Sequence, residues 1–293
     1  MSNSGNAEAD RERRTRLAAH VRKSSYVTTV SPSSVRALST GLRSLDDAIG
    51  IGGLPKGRIA HLYGEAGSGK TTIALSMVAA VQRMKGTAAY FDSDRRFDPG
   101  YASRLGVDVN DLLLYQTDTA EQTLDAICAL VGTDVEVFAV LDTLEGLVPK
   151  REFEIDCGVG DTGYLSTVRR YLRKIAARAH SSNSCVLILN HVTAPPLGAV
   201  FGRRTPYCGK VLEQRAALTI KATSRKMAQA ARNPPGIVET KNVQAWSVTL
   251  EIIKNSVSPC LRTAEVTIMT EGGNHSNPAT TIPSVITVAD PID

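Results

Sequence analysis

The chain has 293 residues, of which 42% are hydrophobic, and its formal net charge is +5. That length and apolar content suffice for one large α/β domain with small extensions. Five scattered cysteines without a CxxC pair argue against a disulfide framework or a zinc site. No apolar run approaches the roughly 18 residues of a membrane span, and the first residues lack the apolar core of a signal peptide. We therefore expect no membrane partner and a cytoplasmic protein, or a nuclear one if the host has a nucleus.

The first 35 residues differ in character from those that follow. Residues 1–10 are small and polar, residues 11–23 (RERRTRLAAHVRK) predict a short basic helix, and residues 24–38 are typical of a linker with one strand. We therefore assign 1–35 to a basic N-terminal segment, 36–273 to a core domain and 274–293 to a C-terminal tail.

Apolar runs alternate with helical patterns from Ser39 onward. The run VEVFAVLD is continuously apolar, as expected for a parallel strand that is buried on both faces. In chain order the patterns predict strands over 58–63, 87–92, 112–115, 135–142 and 185–190, and helices over 71–84, 120–131 and 161–180. Alternating strands and helices indicate βαβ units and a mostly parallel twisted sheet flanked by helices.

The pattern changes after about residue 210. Strands are predicted over 215–222, 246–253 and 264–269 without helices between them, which favours an antiparallel extension of the sheet. The polar stretch 224–246, with a double proline, is expected to be an exposed loop. The predicted fold class is thus α/β.

The stretch GEAGSGKTT matches the pattern of a phosphate-binding P-loop. An apolar strand precedes it and an amphipathic helix follows it, which argues against a glycine-rich turn without a ligand. Glycines let backbone N–H groups face the phosphates, Lys70 supplies a positive charge, and the Thr71 hydroxyl is a ligand for Mg²⁺. The predicted ATP-binding residues here are Gly64, Glu65, Ala66, Gly67, Ser68, Gly69, Lys70, Thr71 and Thr72.

A P-loop site needs a carboxylate for the metal and a group that activates water. Asp142, at the end of the strand VFAVLD, is the expected second Mg²⁺ ligand. Three aspartates follow the strand over 87–92, and Asp92, Asp94 and Asp98 are all candidates for the water. A solvated charged turn is the alternative for each of them.

Several stretches together resemble the RecA recombinase family, from about residue 36 to 273. The stretches are STGLRSLDDAIGIGGLPKGRIAHLYGEAGSGKTT, DPGYASRLGVDVNDLLLYQTDTAEQTLDAICALV, VFAVLDTLEGLVPK, EFEIDCGVGDTG and LEIIKNSVSPCLRTAEVTIMTEGG. Their order is closer to the bacterial and phage type than to hexameric helicases that share the core. The resemblance implies a RecA-like P-loop NTPase core that uses ATP and Mg²⁺.

The resemblance also implies roles around the nucleotide. Asp94 stands where RecA proteins have the glutamate that activates water, and Asp98 and Tyr101 match the residues that contact adenine. Asn190 and His191 stand where an Asn-Gln pair senses the γ-phosphate. Lys254 matches one of two lysines that reach the phosphates of a neighbouring subunit.

Two DNA-binding loops are implied, near 154–164 and 194–210. The resemblance implies contact with single-stranded DNA and with homologous duplex DNA, in a helical filament in which residues 11–30 pack on the neighbouring subunit. For the arginines of the second loop a solvated loop is the alternative. The implied DNA-binding residues are Gly160, Thr162, Gly163, Arg169, Gly198, Arg203, Arg204 and Gly209.

The sequence departs from the family pattern at the same site. Asp94 is one methylene shorter than glutamate, so slow hydrolysis is one expectation, and His191 in place of glutamine would make sensing depend on pH. Ser256 replaces the second of the two lysines, and Glu213 and Gln214 replace a lysine and a phenylalanine at the interface between subunits. The small C-terminal domain of bacterial RecA has no counterpart.

Three functions follow from this reading. The first is a DNA-dependent ATPase that acts as a recombinase, forming filaments on single-stranded DNA and promoting pairing and strand exchange in recombination and repair. The second is a RecA paralogue that binds ATP and DNA but assists strand exchange without performing it. The third is an ATPase on the same core that does not bind DNA.

Overall fold

The computed structural model describes residues 12–13, 15, 35–153, 164–193, 205–206, 208–227, 243–259, 262–271 and 285–289. The chain divides into two compact units, Met1–Ser34 and Val35–Asp293. The first unit is described only at Glu12, Arg13 and Thr15, which are helical and exposed. All the strands and numbered helices belong to the second unit.

The described part of the second unit contains twelve strands and seven helices. The strands are β1 (Ala37–Leu38), β2 (Leu54–Pro55), β3 (Ile59–Gly64), β4 (Thr87–Asp92), β5 (Leu113–Tyr115), β6 (Val137–Asp142), β7 (Cys185–Thr193), β8 (Thr205–Pro206), β9 (Leu218–Lys226), β10 (Val243–Asn255), β11 (Thr263–Glu271) and β12 (Val285–Ala289). The helices are α1 (Arg43–Ile49), α2 (Lys70–Arg83), α3 (Pro99–Arg104), α4 (Ala120–Leu130), α5 (Lys150–Phe153), α6 (Tyr164–Ser182) and α7 (Gly209–Arg215).

Ten of these strands form one sheet, in the order β12-β11-β10-β9-β3-β7-β6-β4-β5, with β8 paired to the end of β7. Neighbours from β9 to β5 run parallel, whereas β10, β11 and β12 continue the sheet with antiparallel pairing. The predicted fold class, a mostly parallel sheet with an antiparallel extension, is thereby confirmed. The strands β1 and β2 form a separate antiparallel pair.

Strand β3 lies in the middle of this sheet. It pairs in parallel with β7 on one side and with β9 on the other, although β7 and β9 come more than 100 residues later in the chain. Because parallel strands end at the same edge of a sheet, the loops after β3, β4, β6 and β7 meet at one edge.

Both faces of the sheet are covered, which explains the continuous apolar runs of the central strands. One core lies between helices α1 and α2 and one face of the sheet, and it includes Ile73 and Met77 of α2 and Leu187 of β7. The other lies between helices α4, α6 and α7 and the opposite face, and it includes Leu172 of α6 and Phe91 of β4. Each fully buried side chain of this size contributes about 1.5–3 kcal/mol relative to exposure. The two cores hold the strand ends in fixed positions.

The C-terminal third shows the largest differences from expectation. Helix α7 occupies 209–215, so the strand predicted over 215–222 begins only at Leu218. This strand, β9, pairs in parallel with β3 on one side and antiparallel with β10 on the other. Residues 228–242, most of the predicted exposed loop, lie outside the described residues. Within the expected tail, β12 pairs with β11 and therefore extends the sheet.

None of the helices in the described part of the chain has the length and apolar character that crossing a bilayer requires.

Candidate nucleotide-hydrolysis site

The P-loop lies between β3 and α2, as the motif predicts. Gly67 and Gly69 have φ angles of +73° and +83°, a backbone conformation that residues with a Cβ rarely adopt. At Gly64 a Cβ would collide with the carbonyl oxygen of Ala222 on the adjacent strand β9. The glycines are therefore required by the backbone path, which wraps the N-terminal end of α2 and suits it to an anion.

Lys70 is the first residue of α2 and is itself buried. Its ammonium donates to the carbonyl oxygens of Gly64 and Glu65, at 3.0 and 2.8 Å, and to the hydroxyl of Ser68 at 3.3 Å. Burial lowers the pKa of Lys70 to about 8, against the opposing effect of the Asp142 and Glu145 carboxylates. The side chain is thus held along the loop, where a phosphate would be its natural counter-ion.

Asp142, at the end of β6, forms the polar centre of the site. Its Oδ2 accepts hydrogen bonds from the hydroxyl of Thr71 at 2.7 Å and from that of Tyr90 at 2.6 Å. Burial raises the pKa of this carboxyl, and the nearby Asp94 and Asp92 add to that effect. Thr71 and Asp142, the two predicted Mg²⁺ ligands, therefore lie within hydrogen-bond distance of each other. One hydroxyl and one carboxylate, completed by phosphate oxygens and water, are a donor set that Mg²⁺ takes in proteins.

The three aspartates that follow β4 have different surroundings. The buried Asp92 accepts hydrogen bonds from the backbone N–H groups of Arg96 and Phe97 and from the Gln116 amide, so it holds the shape of its own loop. Asp98 caps helix α3 by accepting from the N–H of Tyr101 at 3.0 Å. All three aspartates line the same cavity as Thr71 and Asp142, but the Asp94 carboxylate makes no such hydrogen bond within the described part of the chain. Among the three candidates, its environment fits the activation of water best.

Tyr101 joins the predicted adenine site to the P-loop. Its hydroxyl lies 2.6 Å from that of Thr72, and its ring is 5.9 Å from the guanidinium of Arg104. Because Asp98 fixes the start of α3, the same capping bond fixes where the Tyr101 ring lies. Their roles toward adenine stay predictions.

Asn190 and His191 lie near the end of β7, directly beside the start of the P-loop. Asn190 is opposite Tyr63 and His191 is opposite Gly64 in the parallel pairing with β3. Asn190 is fully buried, whereas His191 is partly exposed and lines the cavity. The Nδ1 atom of His191 is buried and has no hydrogen-bond partner among the described residues. The two residues therefore lie beside the start of the P-loop, and their role as sensors of the γ-phosphate stays a prediction.

One cavity of about 410 Å³ brings most of these side chains together. It is lined by Ala66, Gly67, Thr71, Thr72, Leu75, Tyr90, Asp92, Asp94, Arg96, Phe97, Asp98, Tyr101, Asp142 and His191. The predicted P-loop, metal, water, adenine and sensor positions therefore share one cleft, formed by segments up to 125 residues apart.

Lys254 lies outside this cavity. Its ammonium donates to the carbonyl oxygens of Glu213 and Ala216, the latter at 2.8 Å, at the C-terminal end of α7. Ser256 is exposed nearby, and its N–H bonds the carbonyl of Ala217 at 2.8 Å. A contact of Lys254 with the nucleotide of another subunit stays a prediction.

The predicted DNA-binding residues fall mostly outside the described residues. Gly160, Thr162, Gly163, Gly198, Arg203 and Arg204 all do so. Arg169 is exposed on α6, and Gly209 is the first residue of α7.

Sequence reasoning missed Tyr90, Ser93 and Gly146. The hydroxyl of Tyr90 fixes Asp142, and a tyrosine inside an otherwise apolar buried strand is a signal that could have indicated a polar partner. The Ser93 hydroxyl and the backbone of Thr143 exchange two hydrogen bonds of 2.8 Å. Gly146 lies against Ser93 and Asp94, and no local pattern marks it.

A phosphate loop between a central parallel strand and a helix, with an aspartate at the end of a nearby strand, defines a P-loop nucleotide-binding protein. Within that class the comparison with known families is specific. The model of the RecA N-terminal domain family matches residues 23–275, and the chain belongs to this family. The predicted family is therefore confirmed.

Curated relatives agree with that assignment. The chain is 38% identical over 239 residues to Protein RecA of Lactiplantibacillus pentosus, which covers 81% of this chain and 61% of that protein. It is 36% identical over 237 residues to Protein RecA of Thioalkalivibrio sulfidiphilus, covering 80% and 66%. It is also 36% identical over 246 residues to Protein RecA of Pseudomonas fluorescens, which covers 83% of this chain and 67% of that protein. The chain thus spans about three fifths of the length of the first of these relatives.

Proposed function

We propose that this chain is an ATP-dependent DNA recombinase, which forms helical filaments on single-stranded DNA and promotes homologous pairing and strand exchange. The observation that carries the proposal is the cavity that joins the P-loop, Asp142, Asp94, Tyr101 and His191 in a member of the RecA family. Each of these residues has a part in the cycle, and we expect the cycle to take place in the cytoplasm, or in the nucleus of a host that has one.

ATP binds on the P-loop, with its adenine near Tyr101 and Asp98. The backbone N–H groups at the start of α2 and the Lys70 ammonium hold the phosphates. Bound Mg²⁺, held by Thr71 and Asp142, would neutralise charge that develops on the β- and γ-phosphate oxygens. Tyr90 keeps the Asp142 carboxylate in position through its hydrogen bond.

Hydrolysis depends on Asp94. Its carboxylate orients a water molecule and takes a proton from it as the water oxygen attacks the γ-phosphorus. The bond between that phosphorus and the bridging oxygen breaks, and the electron pair leaves with ADP. Low exposure of the surrounding residues Asp92 and Thr143 supports a site that holds few water molecules.

The γ-phosphate is sensed through β7. Asn190 and His191 lie beside the P-loop, and β7 leads directly into segment 194–210, the second of the two DNA-binding loops. A change of hydrogen bonding at His191 is therefore transmitted along one strand to Arg203 and Arg204, while Arg169 on α6 contacts phosphates of the same DNA strand.

Filament assembly places ATP between subunits. Lys254 of one subunit reaches the γ-phosphate bound by its neighbour, and residues 11–30 pack on that neighbour. A contact between two different surfaces of the same chain does not close on itself, so it propagates as a helix along DNA. Hydrolysis removes the γ-phosphate and resets the filament, which makes ATP a switch between two states.

A second function, an accessory RecA paralogue, is favoured by a separate observation. Lys254 bonds the carbonyl oxygens of its own subunit, and Ser256 takes the place of a second lysine. Glu213 adds a carboxylate where the family has a positive charge. A chain with weak contacts between subunits would bind ATP and assist a partner recombinase.

The test is binding of a fluorescent single-stranded oligonucleotide with ATP and Mg²⁺, with a slowly hydrolysed ATP analogue, with ADP and without nucleotide. Electron microscopy of the same samples shows whether filaments form. Tight and cooperative binding that ATP favours, with regular filaments, supports the recombinase, and strand exchange is then assayed. Binding of ATP and DNA without filaments favours the accessory function. If the protein hydrolyses ATP but does not bind DNA, and DNA does not stimulate the hydrolysis, both the recombinase and the accessory function are overturned.

Two variants make this assay specific. Lys70→Ala removes the charge on the phosphates and is expected to abolish nucleotide-dependent DNA binding. Lys85→Asn is the matched control, because it removes an exposed lysine just beyond α2 at a left-handed position (φ +60°) that asparagine tolerates. The control is expected to bind ATP and DNA like the wild-type protein.

A further inference from the structure

The Asp94 carboxylate lies directly against the backbone of Gly146. A Cβ placed on Gly146 would overlap Oδ1 of Asp94 and the hydroxyl of Ser93, and it would lie 3.0 Å from Cγ of Asp94. The φ angle of Gly146 is outside the left-handed region, so the backbone itself would accept another residue. What requires glycine here is the closeness of Asp94.

The segment that carries Gly146 has little freedom to move away. Leu144 and Leu147 on either side of it are buried, and the N–H of Leu144 bonds the carbonyl of Leu189 at 3.2 Å. The N–H of Gly146 itself donates to the Thr143 hydroxyl at 3.2 Å. An added methyl group would therefore displace the Asp94 side chain, which has one rotatable bond before its carboxylate, rather than the backbone.

Ser93, which precedes Asp94, holds the Asp94 side of this contact through hydrogen bonds to the backbone of Asp142 and Thr143. Its N–H bonds the carbonyl of Asp142 at 2.9 Å. Its hydroxyl donates to the Thr143 carbonyl and accepts from the Thr143 N–H, both at 2.8 Å. Ser93, the residue before Asp94, thus joins the segment of the proposed water-activating carboxylate to the segment of Asp142, the proposed metal ligand.

We infer that Ser93 and Gly146 are positioning residues for hydrolysis: the serine fixes the backbone of Asp94, and the missing side chain at 146 sets where its carboxylate lies. The inference rests on the proposed role of Asp94. Because an aspartate is short, the carboxylate has few alternative positions from which it reaches the same water.

The test combines Gly146→Ala with steady-state ATPase kinetics and binding of a fluorescent ATP analogue. We expect kcat to fall about tenfold or more, while the dissociation constant of the analogue changes less than twofold. Gly86→Ala is the matched control. It fills a glycine whose added Cβ would lie 2.9 Å from Cγ1 of Val81, immediately before the start of β4 and away from the residues that line the cavity. Its kcat is expected to stay within twofold of the wild-type value.

A cycle with Asp94→Asn separates positioning from a general structural effect. If Gly146 acts through the carboxylate, Gly146→Ala lowers kcat in the wild-type background and has no further effect in the Asp94→Asn background. Equal losses in both backgrounds would overturn the inference. An Asp94→Asn variant with wild-type kcat would instead refute the proposed role of Asp94, and the inference with it.

Ser93→Ala keeps the inference testable if Gly146→Ala does not fold, since it removes one atom and adds none. It breaks both bonds to Thr143, so kcat is expected to fall several-fold with unchanged affinity for the analogue. In the Asp94→Asn background it is expected to have no effect on kcat. A Ser93→Ala variant with wild-type kcat would contradict the role of the serine.

Discussion

Lys70 is held by carbonyl oxygens of its own loop, and its burial has a measurable consequence. Since burial lowers the pKa of the ammonium to about 8, part of the protein carries a neutral Lys70 at pH 8.5. A bound triphosphate raises that pKa by placing negative charge beside it. Nucleotide binding at pH 8.5 is therefore expected to take up part of a proton, and the uptake should fade at pH 6.5, where Lys70 is already charged.

The measurement is isothermal titration calorimetry in two buffers of different ionisation enthalpy. The observed enthalpies differ by the number of protons taken up multiplied by the difference in buffer enthalpy. The nucleotide must stay fully ionised, so a slowly hydrolysed analogue at pH 8.5 is suitable. Equal enthalpies in both buffers would show that Lys70 is charged before the nucleotide arrives.

His61 makes stability depend on pH. It is buried in the central strand β3, stacked on Tyr63, and its Nε2 has no partner among the described residues. Burial lowers its pKa from 6.5 to about 4, so between these values the unfolded chain binds more protons than the folded one. We therefore expect the free energy of unfolding to decrease as the pH falls below 6.5, by about 2 kcal/mol between pH 7.5 and pH 5.

His61→Phe is expected to remove that part of the pH dependence. The comparison is the free energy of unfolding by denaturant at pH 7.5 and pH 5, for the wild type and for the variant. His180→Gln, which removes an exposed histidine on α6, is the control and should keep the wild-type difference. If His61→Phe shows the same loss between the two pH values as the wild type, His61 is not the group responsible.

Single residues of the site were predictable to the extent that one segment defines them. The P-loop residues have fixed spacing between a strand and a helix, and Asp142 ends an apolar strand, so the pattern alone predicted where they lie in the fold. Tyr90 and Gly146 act through contacts between segments 50 residues apart, as in the bond from Tyr90 to Asp142. Such contacts depend on strand order, which one sequence does not contain.

Helix α7 depends on a partner from a distant strand. It has seven residues, too few for stability on its own, and its C-terminal carbonyls accept bonds from Lys254 of β10. Removing these bonds by Lys254→Met is expected to accelerate amide hydrogen exchange across 209–217 about five- to tenfold, because a bond to a charged donor contributes roughly 1–1.5 kcal/mol at a partly exposed site.

The control for that change is Lys221→Met, which removes a half-exposed lysine on the neighbouring strand, 3.9 Å from Glu251. Exchange at 209–217 is expected to stay unchanged in this variant. Were Lys254→Met to leave exchange there unaltered as well, α7 would be stabilised by its buried residues Val211 and Leu212 alone.

The same helix shows where prediction from sequence stopped. Long periodic or continuously apolar stretches gave elements close to those observed, such as the strand expected over 87–92, which is β4, and the helix expected over 71–84, which is α2 at Lys70–Arg83. Helix α7 was not predicted, because seven residues cover less than two turns. In addition, Lys254, which donates to the carbonyl oxygens at the end of this helix, lies about 40 residues further along the chain.

At the scale of the whole molecule, β12 is the outermost of the described strands on its side of the main sheet. Its pairing with β11, from Thr267 opposite Ala289 to Glu271 opposite Val285, covers an edge that would otherwise present free backbone groups. Deleting residues 285–293 is expected to lower the midpoint of thermal unfolding by roughly 2–8 °C, for a loss of about 1–2 kcal/mol, and to promote aggregation.

Deleting only residues 290–293 leaves β12 in place and is the matched control, with an expected midpoint equal to that of the full chain. Both truncated chains are compared by scanning calorimetry and by light scattering at several protein concentrations. A full-length midpoint after removal of β12 would mean that the edge of β11 needs no cover.

The central place of β3 also has a consequence for how the protein is made. The ribosome delivers β3 and the P-loop before their neighbours β7 and β9, which follow more than 100 residues later. At about 5–20 residues per second, the nascent chain exposes the apolar strand β3 for roughly 6–30 s before its partners emerge. The phosphate loop after β3 is thus synthesised well before the two strands that flank β3, so we expect its final shape to depend on parts of the chain that are translated later.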